Sequence, residues 1–349
     1  MEALVEPALA VLILAAGRGT RMKSALPKVL HPLMGRPILE YVLNAVLCLK
    51  PARLVVVTGF GAEAVEDISR TFLSSYAERF GCSLLAEPIF AHQTEQLGTG
   101  HAVAAAKDAL ADFSGPLLIM AGDISLISSN TLNGFLKDHQ FLGSDLSVLT
   151  VRLDNPAAYG RIIRDEAGWL ARIVEYRDAD EEERRVGEIN SGLYLTDVVN
   201  LYQSIERLSS DNEQREYYLT DVVADFRNRG LLVAAVEIPS SLSYEVGGIN
   251  DRAELAATQG LLKARINESW MKAGVTMLDP FSTLIETTVH LDTDVILWPG
   301  VILTGRTTVG AGAEIGPFCH LDDCRVEAGV RVPGGTILKN QIFSLETNY

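Results

Sequence analysis

The chain has 349 residues, with 30 Lys+Arg against 45 Asp+Glu and a formal net charge of −15. Hydrophobic residues make up 48% and charged ones 21%, which excludes a disordered or collagen-like chain and leaves room for about two domains with real cores. The acid excess argues against bulk binding to nucleic acid or an anionic membrane, and the four cysteines (Cys48, Cys82, Cys319, Cys324) form no CxxC pair, so neither a disulfide framework nor a zinc cluster is expected and a reducing cytoplasm fits.

The apolar run Ala8–Ala16 follows Glu2 and Glu6, where a secreted chain would carry Lys or Arg, and runs into Gly17-Arg18-Gly19 rather than a cleavage site. It is read as a buried strand over Val11–Leu14. No apolar stretch reaches the ~18 residues of a membrane span. Further short apolar runs predict strands at Leu54–Thr58, Leu84–Ala86, Leu117–Ala121, Leu146–Val151, Leu193–Leu195 and Leu231–Ile238. Between them a helix is predicted from Pro37, with Ile38, Val42, Ala45 and Leu49 on one face, and another over Thr99–Leu110. This alternation predicts an α/β layered domain with a mostly parallel sheet, whose ligands sit at the carboxyl ends of its strands.

Asp178–Arg185 is a charge run read as a solvated loop or helix face. Asp251 and Glu254 have capping-box spacing at the start of a helix running to about Met271, taken as the arm between two domains. Beyond it, Ile285, Leu291, Leu297, Leu303, Val309, Ile315 and Leu321 recur every six residues. Four residues after each stand Val289, Val295, Val301, Thr307, Ala313, Cys319 and Arg325. No helix holds a period of six on one face, whereas each flat side of a β-solenoid consumes six residues. Arg325 breaks the run of small interior residues, so the last coil is expected to be frayed or capped, with Pro333-Gly334-Gly335 ending it. At about 18 residues per coil the solenoid should have little more than two coils. His290 and His320 are read as surface or corner residues.

The segment Leu14-Ala15-Ala16-Gly17-Arg18-Gly19-Thr20-Arg21-Met22, closed by Leu26-Pro27-Lys28, leaves the first strand. Its glycines let backbone N–H groups approach an anion, and Arg21 and Lys28 add full positive charge. Met22 stands where a dinucleotide fingerprint needs a third glycine, and no Gly-Lys-Ser/Thr ends the loop as a P-loop requires. On physics alone, an ordinary turn with surface cations competes with a phosphate cradle.

As a pattern the loop resembles the signature of sugar-1-phosphate nucleotidyltransferases. Within them the chain is most similar to the uridylyltransferase half of the bifunctional N-acetylglucosamine-1-phosphate uridylyltransferase/glucosamine-1-phosphate acetyltransferases. The resemblance spans nearly the whole chain, strongest to about residue 252. It implies a Rossmann-like nucleotidyltransferase domain at 1–250, a connecting helix at 251–273 and a short left-handed parallel β-helix at 274–349. Leu14, Ala15, Ala16 and Gly17 then contact nucleotide. The segment Gln93-Thr94-Glu95-Gln96-Leu97-Gly98-Thr99 resembles the uracil-recognising stretch, in which Gln93 and Gln96 can donate and accept together and Gly98 and Thr99 complete the site. Asp123 in Gly122-Asp123 and Asn250 in Gly247-Gly248-Ile249-Asn250 match the two ligands of a Mg²⁺ ion. Local sequence alone also allows Asn250 as a helix cap. Gly160 in Tyr-Gly-Arg-Ile, Glu175 and Asn190 match sugar-binding positions, and Glu216-Tyr217-Tyr218-Leu219-Thr220-Asp221 matches a motif bordering the pocket.

Two departures stand out. Ala121 replaces the family's Tyr before Gly-Asp, and Ser125 replaces a Pro two residues after Asp123. The solenoid lacks the acetyltransferase context, so acetyl transfer is not expected. The implied reaction is in-line attack by N-acetylglucosamine 1-phosphate on the α-phosphorus of UTP, with Mg²⁺, Arg21 and Lys28 offsetting anionic charge. The alternatives are another hexose 1-phosphate such as glucose, a thymidine nucleotide, or a non-catalytic regulatory or scaffold homologue. Related short solenoids trimerise, so a homotrimer is a further expectation. UTP and a sugar 1-phosphate, rather than nucleic acid or membrane, are the expected partners.

Overall fold

A computed structural model describes residues 8–80 and 87–344. The strand expected at Leu84–Ala86, and Cys82, lie outside the described residues. The chain forms two compact units, 1–31 with 38–251, and 32–37 with 252–349.

In the first unit a sheet runs in the order Val233–Ile238, Leu146–Arg152, Glu188–Asp197, Pro116–Ala121, Ala10–Leu14, Arg53–Thr58, Ile89–His92. All neighbours pair parallel except Glu188–Asp197, which is antiparallel to both of its own. A hairpin, Arg161–Arg164 with Leu170–Val174, hangs on that strand through Ile189. The central strand Ala10–Leu14 is apolar throughout because both of its faces are buried. Val11 and Ile13 enter one core cluster with helix Ile38–Leu47, and Ala10 and Leu12 enter the other with helix Thr99–Ala105. This is the mostly parallel α/β architecture expected from the alternation of elements.

Some predicted elements shift. Pro37 ends a two-strand ribbon (Pro32–Leu33 with Arg36–Pro37) instead of opening the helix, which begins at Ile38. The helix foreseen over Thr99–Leu110 breaks at Ala106. The charge run holds one exposed turn, Glu181–Arg184, with Asp180 capping the amides of Glu182 and Glu183 at 2.8 Å. Strands Arg161–Arg164, Leu170–Val174 and Ile89–His92 were not foreseen, because each is short and carries charged or turn-adjacent residues that mask its period.

The second unit is a parallel β-helix of the left-handed type, with three sheets of four short strands each. Its coils run past the expected end. The interior residues Leu297, Leu303, Val309, Ile315 and Leu321 are followed by Val326, Val332 and Phe343, all buried. The step from Leu321 to Val326 is one residue short, so the small interior position passes to Cys324 and Arg325 points outward. Arg325 therefore marks a phase shift, not fraying. Pro333-Gly334-Gly335 forms a corner, with Gly335 at φ +74°, and the unit has four coils in place of little more than two.

Helix Arg252–Lys272 belongs to this unit. Ile266 and Trp270 pack on the solenoid core, and the buried Asn267 donates Nδ2 to the carbonyls of Pro280 (2.8 Å) and Thr283 (3.0 Å). The ribbon joins it as well: Thr287 donates its amide (3.2 Å) and hydroxyl (3.1 Å) to the Met34 carbonyl. His290 is exposed and His320 half-buried, as a surface or corner reading requires.

Leu303 is fully buried between Ile285 and Leu321 of the adjoining coils. Leu303→Ala is expected to cost the second unit about 2–5 kcal/mol, because the stacked coils restrict collapse around the cavity. Differential scanning calorimetry reads this as a lowered transition, and an unchanged one would contradict the stacked core. Among the described residues no helix is long and apolar enough to cross a membrane.

Candidate active site

Strand register assembles the site. Leu14 pairs with Val57 on one side and Ala121 on the other, and Thr58 pairs with His92, so four parallel strands end side by side. The segments that follow them are tied at once. Ala15 N donates to Val57 O (2.9 Å), Gly122 N to Leu14 O (2.9 Å) and Gln93 N to Thr58 O (2.8 Å). They surround a cavity of about 540 Å³ at the carboxyl edge, where the parallel-sheet rule places ligands.

The basic glycine loop forms part of its wall, with Leu14, Ala15, Ala16, Gly17 and Arg21 all facing the cavity. Met22, 1% exposed, anchors the 3-10 turn Thr20–Met22 in the core. Gly19 has φ +64°, and a Cβ there would lie 2.6 Å from the Lys28 Cβ, so glycine is needed both for the turn and for the close approach of Lys28. Gly17 has open space around it, which leaves its backbone unshielded.

Lys28 is the electrostatic centre. Its ammonium is ion-paired with the Asp123 carboxylate and lies 3.3 Å from the Asn250 Oδ1. Two hard oxygens from distant segments thus converge on one cation. That donor chemistry fits a divalent ion, whose remaining positions phosphate and water oxygens would fill. Among the described residues no three His, Cys, Asp or Glu side chains cluster as a closed metal cage. Gly248 lies beside the same carboxylate, where a Cβ would make an ordinary 3.4 Å contact with Asp123 Oδ2.

Gln93, Gln96, Gly98 and Thr99 complete much of the lining. Gln93 is buried, with Nε2 donating to Gly98 O at 3.1 Å. Gly98 has φ +105°, and a Cβ would meet the Tyr217 carbonyl at 2.6 Å, so only glycine fits. Ala121 lines the cavity too, whereas Ser125 is buried with its Oγ lacking a hydrogen-bond partner among the described residues.

Gly160, Glu175 and Asn190 do not line this cavity but lie together as a second group. Gly160 O accepts from Asn190 N at 2.9 Å, and a Cβ on Gly160 would sit 3.5 Å from Glu175 Oε2. Asn190 Nδ2 donates to the Tyr194 hydroxyl (2.7 Å) and Thr220 Oγ1 to Glu175 Oε1 (3.3 Å). Burial pushes the Glu175 carboxyl up from its ordinary range. The Thr220 hydrogen bond opposes this, and Asp221, Asp178 and Glu216 add repulsion.

Because the folded value lies above the unfolded one, the Glu175 contribution to stability is complete below the ordinary carboxylate range and is lost as pH rises through the raised folded value. Glu175→Gln is therefore expected to gain Tm relative to the parent as pH is raised through that window. A pH-independent difference in thermal melts would show that the carboxyl titrates as it does in the unfolded chain.

Two cavity-lining residues, Arg18 and Val29, are not singled out by the sequence reading. Arg18 lies over the Phe60 ring at 5.2 Å, a third loop cation that its place in Gly-Arg-Gly could have signalled. Glu216, which opens the motif that the resemblance puts at the border of the pocket, lines the cavity.

Residues 11–192 match the family described as MobA-like NTP transferase domain. The chain is 42% identical over 331 residues to bifunctional protein GlmU of Pelobacter propionicus, covering 95% of this chain and 69% of that protein. Against bifunctional protein GlmU of Thermus thermophilus it is 43% identical over 326 residues, covering 93% and 67% respectively. Among solved structures, UDP-glucose pyrophosphorylase complexed with UDP-glucose superposes with a TM-score of 0.58 at 17% identity, over 74% of this chain and 99% of that one. That last likeness speaks for the fold.

Proposed function

We propose, from the premise that this chain belongs to the MobA-like NTP transferase family as one of the GlmU nucleotidyltransferases, that it transfers the uridylyl group of UTP to N-acetylglucosamine 1-phosphate. A phosphate oxygen of the sugar phosphate forms a bond to the α-phosphorus. The bond from that phosphorus to the bridging oxygen breaks, and its electron pair leaves with pyrophosphate. The nucleophile is already an anion, so no general base is needed. The barrier is repulsion between two anions, and the side chains act mainly by holding charge in place.

Asp123 and Asn250 would hold a divalent cation, Mg²⁺ in our proposal, which supplies charge neutralisation between the phosphates when bound. Arg21 and Lys28 offset charge on the pyrophosphate and α-phosphate. Gln93 and Gln96, with Gly98 and Thr99, present the amide and backbone groups that a uracil edge requires. Gly160, Glu175 and Asn190 would take the acetamido sugar. Arg18 adds positive charge to the phosphate loop.

The observation that carries this reading is the convergence of Lys28, Asp123 and Asn250 on the wall of the cavity that Gln93 and Gln96 also line. The test is pyrophosphate release from UTP with N-acetylglucosamine 1-phosphate and Mg²⁺, paired with glucose 1-phosphate. Release with the acetamido sugar and little with glucose supports it, and the reverse order favours a different hexose. Ala121 keeps that second outcome specific, since its methyl leaves the cavity wall open. A homotrimer through the solenoid, supported by the exposed Trp298, Ile337 and Ile342, is to be checked by light scattering.

A further inference from the structure

Glu216 is held in place more tightly than a loop carboxylate needs to be. Its amide donates to Asn212 Oδ1 (3.1 Å) and its carbonyl accepts from Asn212 Nδ2 (2.6 Å), while the preceding Arg215 is in the left-handed region at φ +54°. On its other side the chain is zipped to the glutamine segment. Tyr217 N donates to Leu97 O (2.8 Å), Gly100 N to Tyr217 O (2.7 Å) and Leu219 N to Thr99 Oγ1 (3.0 Å). A Cβ on Gly98 would lie 2.9 Å from the Glu216 Cβ, so the two residues share one stretch of cavity wall.

The Glu216 carboxylate accepts no hydrogen bond from a described residue and lines the cavity. It is also close enough to the second group to repel the Glu175 carboxyl. An ionised carboxylate only accepts, so the ligand group it suits must donate. A phosphate oxygen would be repelled. The donors on a uridine nucleotide and an acetamido sugar phosphate are the uracil N3–H, the sugar hydroxyls and the acetamide N–H, and Gln93 and Gln96 already offer amide groups to the uracil edge.

We infer that Glu216 is a further substrate-binding residue whose carboxylate accepts a hydrogen bond from a sugar donor, a ribose hydroxyl or a hydroxyl or acetamide N–H of the hexose, where the nucleotide cavity adjoins the Glu175 group. The inference rests on the uridylyltransferase reading and adds a specificity contact to it.

The test compares the parent with Glu216→Ala and Glu216→Gln, using UTP, 2′-deoxy-UTP and N-acetylglucosamine 1-phosphate. Loss of a charged acceptor is expected to raise one KM by roughly tenfold in Glu216→Ala, and by less in Glu216→Gln, which keeps an acceptor oxygen. If the donor is the ribose, the KM for UTP rises and the preference over 2′-deoxy-UTP shrinks. If it is the hexose, the KM for the sugar phosphate rises while that for UTP stays. Both KM values within twofold of the parent, in variants with parental Tm, would overturn the inference. Parent turnover is the control for the underlying reading. Should the parent release no pyrophosphate, that reading fails, and titration calorimetry of uridine 5′-monophosphate and of N-acetylglucosamine 1-phosphate still decides Glu216, with equal affinities in parent and Glu216→Ala counting against it.

Discussion

Lys28→Ala is expected to keep the fold and to lose at least about a hundredfold in turnover. Lys28 sits on a 3-10 turn, Lys28–Leu30, whose Val29 and Leu30 are buried, so truncating it does not disturb what anchors the turn. Its side chain is 18% exposed, and its ammonium spans Asp123 and Asn250. In a partly dry cavity one cation offsets far more phosphate charge than it would in water. The ammonium and a divalent ion draw on the same two oxygens, so Lys28→Ala should not raise the concentration of Mg²⁺ needed for half-maximal rate. Pyrophosphate release and circular dichroism together make the check. Near-parental release would remove Lys28 from the mechanism.

Asp123→Asn is expected to cut the rate to a similar degree by a different route, raising the Mg²⁺ requirement at least about tenfold. Asparagine keeps an oxygen of similar position but removes the negative charge that a hard cation requires. The carboxylate is 9% exposed and is held by the strand Pro116–Ala121, so the substitution alters charge at a fixed place. Mn²⁺ binding measured by calorimetry on the nucleotide-loaded protein gives a readout independent of turnover. An unchanged metal titration would contradict the assignment of Asp123, while the Lys28 result would stand.

These two variants separate because the residues carry opposite charge at one place. If both changed the metal requirement alike, the ammonium and the cation would not be sharing oxygens, and the convergence seen around Lys28 would be a structural ion pair.

Much of the molecule was legible before its fold was described. Val11–Leu14 and Leu117–Ala121 are read as strands because a strand buried on both faces must be apolar at every position. The six-residue recurrence from Ile285 to Leu321 is read as a solenoid because each flat side spends a fixed number of residues. At Arg325 that regularity breaks, because one missing residue shifts the interior phase to Cys324 and Val326 and a shortened corner keeps no fixed period. The glycine loop, Gln93 and Gln96 were found as motifs, and all of them line the cavity. Glu216 was reached only through the resemblance of its motif, since a half-exposed loop carboxylate has no period to betray its direction.

By itself the sequence determined most of the apolar sheet strands, the solenoid period as far as Leu321 and the glycine-rich, cationic character of the first loop. These are local properties, written in the spacing of side chains along one element. Tertiary structure alone decided that Lys28 meets Asp123, 95 residues away, and Asn250, 222 residues away. It alone placed Gly160, Glu175 and Asn190 in a group beyond the cavity lining, and it alone assigned the ribbon 32–37 to the second unit. Strand order and loop closure set such meetings, and neither leaves a mark in the spacing of neighbouring residues.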